Sequence, residues 1–163
     1  MKACGDCGLC CKLIGVKELE KAPHVWCRYF KKSSGCTVYE SRPQGCADFA
    51  CDWLLDEQLD DAWRPDRAGF ILHTSDGGRV LNVDVEPANP SAWKRSPSQD
   101  TLRLWAGRGA ADGMEILIWV ARRCWRLERG GLADLGIRRE ETAFASGGAM
   151  RRKGSGRDWP PTA

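Results

Sequence analysis

Eight of the chain's nine cysteines crowd between positions 4 and 51, in the order Cys4-x2-Cys7-x2-Cys10-Cys11, Cys27-x8-Cys36 and Cys46-x4-Cys51. Thiolates in such numbers are soft ligands for zinc in Cys4 sites and for iron in iron-sulfur clusters. A Cys-x2-Cys spacing lets two sulfurs converge on one ion from a tight turn, and Gly5 and Gly8 are expected to supply the positive φ that such turns use. Cys10 and Cys11 are neighbours whose side chains diverge, so the pair is expected to serve two different metals, or a metal and something else, rather than one tetrahedron. Two nearby sites sharing the N-terminal loop follow, with Cys4, Cys7, Cys10, Cys11, Cys27, Cys36, Cys46 and Cys51 as the ligand set.

Zinc and iron both stay open on these residues. Cys4-x2-Cys7-x2-Cys10 matches the start of a bacterial ferredoxin motif, but that motif continues with x3-Cys-Pro, and here Cys11 follows at once. In a regular helix, the five-residue offset of Cys46 and Cys51 would turn their sulfurs about 140° apart. Either they serve different metals or a non-helical turn lies between them. The first apolar stretch, Leu13 to Val16, is flanked by lysines and too short for an export signal. The expectation is a soluble, cytoplasmic protein with no membrane partner, in whose reducing surroundings clustered cysteines are metal or redox ligands before they are disulfides.

The segments "CGDCGLCC", "GCTVYESRPQGCADFACDWLL" and "RPDRAGFIL" resemble the bacterial CxxCxxCC cysteine-cluster family, also called YkgJ-like and described as zinc- or iron-chelating. The resemblance spans roughly residues 4 to 75. It is carried by Cys4, Cys7, Cys10 and Cys11, by Cys36 with Tyr39, Arg42 and Pro43, and by Cys46 and Cys51. It implies metal binding through those cysteines. Some relatives carry a His-Cys pair shortly after the position of Cys27, where this chain has Tyr29 and Phe30.

Aromatic residues surround the cysteines: Trp26, Tyr29, Phe30, Tyr39, Phe49 and Trp53. Whether they wall a metal site from water or pack an ordinary core, burial is expected. Arg42 is expected either to offset the negative charge of metal-bound thiolates or to pair with Glu40. Ser41 and Pro43 suit the start of a short helix before Cys46. His24 and His73 are read as a loop residue and a strand residue, not as ligands. Cys124, alone in an apolar segment, reads as a small core residue.

The rest of the chain must hold these loops in place. "DWLLDEQLDDAWRPD" reads as an acidic, helical connection ending before Pro65. Leu81, Val83 and Val85 alternate with polar residues, predicting a strand buried on one face, with a hairpin turn at Asp76-Gly77-Gly78. Ser96, Pro97 and Gln99 open a capped helix carrying Leu102, Leu104, Trp105 and Ala106, which Gly107 or Gly109 stops. Residues 113–129 fit a helix or two strands, and their Trp, Ile and Val content favours strands.

The expected fold is α+β. A loop-rich metal module over residues 1–64 packs on a hairpin-helix-hairpin unit over 65–139, followed by a disordered tail over 140–163. Lysine and arginine exceed aspartate and glutamate by only 25 to 22. That surplus argues for no nucleic-acid partner. Walker, dinucleotide-binding, nucleophile-elbow and metalloprotease motifs are absent from the sequence, so no enzyme class is assigned. The leading function is a zinc- or iron-binding protein whose metal is structural or carried. An iron-sulfur redox protein and a zinc-stabilised module for a protein partner are the alternatives.

Overall fold

The computed structural model describes residues 2–137, so the tail expected over 140–163 lies outside the described residues. In chain order the elements are α1 (Leu9–Leu13), β1 (Phe30–Lys31), β2 (Gly35–Cys36), α2 (Gln44–Ala47), α3 (Asp52–Leu55) and α4 (Pro65–Ala68). They continue as β3 (Phe70–Ser75), β4 (Val80–Val85), α5 (Ser98–Gly109), β5 (Glu115–Val120), β6 (Arg123–Glu128) and β7 (Gly131–Ile137). The protein is α+β. None of the helices among the described residues is long and apolar enough to cross a membrane.

Strands β3 to β7 form one sheet in sequence order, with β1 and β2 a separate short hairpin. All neighbours in the large sheet are antiparallel except β4 and β5, which run parallel. A parallel pair needs a crossover, and α5 lies within it. Leu81, Val83 and Val85 align with Ile116, Ile118 and Val120, and all but the half-buried Val120 are buried with Phe70, Leu72 and Leu127 in the core that includes α5. Leu102, Trp105, Ala106 and Gly109 recur at helical spacing and form the buried stripe of α5, while Leu104 faces outward. Trp63 stacks on Trp105 with centroids 5.2 Å apart and meets Phe70 edge-on at 6.1 Å.

The predicted β3–β4 hairpin, its turn at Asp76–Gly78, the helix ending at Gly109 and the two strands within 113–129 are all present. Four features differ. Asn82, on the face expected to be wet, is buried because its amide nitrogen donates to the Ser75 hydroxyl at 2.9 Å and its oxygen accepts from the Trp119 indole at 3.0 Å. No side chain caps α5; the Ser96 hydroxyl donates to Asp100 at 2.8 Å instead. The acidic connection is not one continuous helix but α3 followed by a 3-10 turn at Asp61–Trp63: in the break Asp56 accepts from the Gln58 amide at 2.8 Å, and Asp60 caps the turn by accepting from the Ala62 amide at 2.9 Å. Pro65 then starts α4 rather than ending a helix. Finally, β7 extends the unit beyond two hairpins, and its glycines at 131 and 136 both adopt positive φ, at 154° and 76°. Residues 53–63 contribute Trp53, Leu59 and Trp63 to the sheet's own core.

Candidate metal centre

The first turn closes where the Cys7 amide donates to the Cys4 carbonyl at 3.0 Å, with Gly5 at φ 52° as expected. Gly8 departs from the expectation. It precedes α1 at φ −129°, and a Cβ there would sit 1.8 Å from a Phe30 ring carbon. Glycine at 8 therefore serves close approach of the β1–β2 hairpin rather than a left-handed turn. Cys10 and Cys11 lie inside α1, whose Leu9 and Leu13 are buried beside Ile71 of β3.

Three connections bring the later cysteines to this helix. The Cys27 amide donates to the Cys11 carbonyl at 2.9 Å. The short hairpin pairs Phe30 with Cys36. The Glu18 carboxylate accepts from the Gly45 amide at 2.8 Å, tethering α2 and its Cys46. Helix α2 ends at Ala47, and Cys51 stands in extended conformation immediately before α3. The chain between Cys46 and Cys51 is therefore not one helix, and the two sulfurs point to different neighbours.

Electrostatic influence sorts the sulfurs into two sets. Cys4 and Cys7 act on both Cys10 and Cys51. Cys11 and Cys27 act on Cys36, and Cys11, Cys27 and Cys36 act on Cys46. The sets meet at the adjacent pair, where the Cys10 thiol donates to the Cys11 sulfur. That bond lowers the Cys11 pKa to about 7 and, together with burial, raises that of Cys10. Burial first, then neighbouring sulfurs, pushes Cys46 up to about 11, and burial pushes Cys51 up to about 12. Burial also raises Cys7 and Cys36.

The first set borders a cavity of about 40 Å³ lined by Cys4, Cys7, Cys10 and Cys51 and walled by Phe49, Trp53, Leu54, Pro65 and Ile71. Around the second set, Cys27 lines a broader groove of about 310 Å³ with Lys21, Trp26 and Arg28. Among the described residues no three Cys, His, Asp or Glu side chains stand in a geometry that holds a metal ion. The sulfurs are thus suited to a thiophilic cation in type and number, and reaching bonding distances near 2.3 Å requires their side chains to turn.

Several neighbours differ from the sequence-based expectation. Of the six aromatic residues expected to be buried, Trp53 is; Tyr29, Phe30 and Phe49 are half-buried, and Trp26 and Tyr39 are exposed, at 48% and 38%. Trp26 nevertheless stacks on Phe30 at 4.5 Å, and the Lys12 ammonium lies over its ring at 5.4 Å. Of the two roles expected of Arg42, its charge does act on a sulfur, that of Cys36, and no ion pair with Glu40 is found among the described residues. Its guanidinium lies 4.0 Å from the Tyr39 ring centroid and donates to the Tyr39 carbonyl at 2.6 Å, while its charge lowers the Cys36 pKa against burial. His73 is held by Asp84 at 2.8 Å, and His24 lies in a loop at φ 64°. Cys124 is fully buried in β6.

Sequence reasoning misses a polar role for Tyr39 and any role for Lys21. The Tyr39 hydroxyl donates to the Cys4 sulfur at 3.7 Å. Lys21 donates to the carbonyls of Ile14, Lys12 and Ala22, and its ammonium shares the field of Cys27, Cys11 and Cys46. Burial lowers the lysine's pKa, and the sulfurs' charge opposes that shift. Nothing in "ELEKAPH" separates Lys21 from a surface lysine, because its role depends on a turn that bridges Val16 to Lys21.

No family model, no curated protein and no solved structure matches the chain.

Proposed function

We propose that the protein binds two thiophilic metal ions, zinc or iron, one at Cys4, Cys7, Cys10 and Cys51 and the other at Cys11, Cys27, Cys36 and Cys46. What supports this reading is that sulfurs from distant stretches of chain lie within electrostatic reach of one another, Cys4 and Cys7 of Cys10 and Cys51, and Cys11, Cys27 and Cys36 of Cys46, with the two groups joined at the adjacent Cys10 and Cys11. Resemblance of the same segments to the CxxCxxCC family supports it, as does Lys21, whose ammonium offsets surplus charge on the second set. The cysteine-bearing loops then form a metal module resting on the sheet, in a reducing compartment that keeps the sulfurs as thiols.

The residues divide the work of holding the ions. The eight thiols shed protons to become ligands, Tyr39 donates to Cys4, and Glu18 holds the Cys46 segment. The bound ion would crosslink segments whose own apolar contacts are few.

Anaerobic purification followed by metal analysis and a visible spectrum tests the reading. About two zinc ions per chain and no colour are expected of a zinc protein, while visible absorption with iron and labile sulfide identifies iron-sulfur chemistry. Cys7→Ser should lose metal and Cys124→Ser should keep it. Full metal retention by Cys7→Ser, or a wild-type chain that takes up none, overturns the proposal.

A further inference from the structure

All eight sulfur-bearing residues are half-buried, and Cys4 lies between exposed Ala3 and Gly5, but Cys7 and Cys51 of the first set stand in more apolar surroundings than Cys27 and Cys46 of the second. Cys51 precedes Trp53, which is 5% exposed, and the cavity beside it is closed by Ile71, which is fully buried. Cys7 is followed by the buried pair Gly8 and Leu9. By contrast, Cys27 lies between exposed Trp26 and Arg28, and Cys46 between exposed Gly45 and Ala47. The groove along Cys27 opens to solvent and carries the cationic side chains of Lys21 and Arg28.

Metal leaves a thiolate site by ligand exchange, which needs room for an incoming donor and solvent for the departing one. The apolar-walled cavity, of about 40 Å³, offers less of both. The groove offers both beside Cys27, and Lys21 and Arg28 outnumber its one acidic side chain, Glu20, which favours an anionic donor there.

From this contrast we infer that the two sites play different roles. Cys11, Cys27, Cys36 and Cys46 form the exchanging site, which passes its metal to an acceptor bearing thiolate ligands, and Cys4, Cys7, Cys10 and Cys51 form the retained site. The inference rests on the two-site reading above. In the exchange step one metal–sulfur bond forms to the incoming thiolate as the bond to Cys27 or Cys46 breaks. The released thiolate takes a proton from water. No electrons move.

The test is stopped-flow release of zinc from the loaded full chain to the chromogenic chelator 4-(2-pyridylazo)resorcinol. Two phases of equal amplitude are expected, with rates at least about tenfold apart. Cys46→Ser should remove the fast phase and leave the slow one, and Cys51→Ser the reverse. Should Cys51→Ser fail to fold, Arg28→Glu supplies the second arm: it should slow the fast phase alone. Two zinc ions released in a single phase would sink the division of roles and leave the two-site reading intact. Loss of the slow phase in Cys46→Ser, or an Arg28→Glu chain with an unaltered fast phase, also overturns it. Fewer than two zinc ions bound at the outset removes the two-site reading itself.

Discussion

The cysteine-bearing loops and the five-stranded sheet are held together by different means. The sheet and the segments packed on it share a core of seventeen described residues, including Phe70, Val83, Leu102 and Ile118. The cysteine loops have a cluster of three, Leu9, Leu13 and Ile14, closed by Ile71 of the sheet. Their helices α1 to α3 are four or five residues long and their strands two, lengths that do not persist in water unaided. Burial of apolar surface therefore contributes more to the sheet than to the loops, for which the metal ions proposed above would supply crosslinks.

The largest effect that would break or sharpen this contrast comes from metal withdrawal. A chelator in excess should strip hydrogen-exchange protection from amides between Cys4 and Cys51 while those of β3 to β6 keep theirs. Simultaneous loss in the sheet would show that the two regions are one cooperative unit.

Next in size, Leu102→Ala should lower global stability by about 2–5 kcal/mol, read by urea unfolding, without changing metal content. A drop in metal stoichiometry would mean that the sheet's packing sets the geometry of the sulfurs.

The smallest effect is in proton release. With pKa values near 11 and 12, Cys46 and Cys51 are protonated at neutral pH in the metal-free protein and must lose their protons on loading. Metal affinity should therefore rise with pH, and calorimetry in buffers of different ionisation enthalpy should show about one proton fewer released by Cys46→Ser. The sign for stability is opposite. Folding holds these thiols protonated above the ordinary thiol range, so the metal-free protein should lose stability as pH climbs above about 9. A metal-free chain equally stable at pH 8 and 10 would contradict the burial of these two sulfurs.

Much of the sheet is legible in the sequence, since the alternation of Leu81, Val83 and Val85 and the spacing of Leu102, Trp105 and Ala106 reflect local periodicity. The parallel pairing of β4 with β5 is not, because it depends on which strand a crossover selects. Strand β7 escapes because its glycine-rich run lacks the alternation that marks β4. For the candidate site, the sequence names the eight sulfurs and the split between Cys10 and Cys11. Which later cysteine joins which set rests on long-range contacts, such as that of Glu18 with Gly45. No spacing rule contains those contacts.

The order of the strands separates β3, against which α1, α3 and α4 lie, from β7 by three intervening strands. At the usual strand spacing that is about 19 Å. Changes at Leu132 or Ile137, both exposed on β7, are thus insulated from the sulfur-bearing end by a stiff hydrogen-bonded plate. That far edge is where a probe or label can be attached with least disturbance to the thiols.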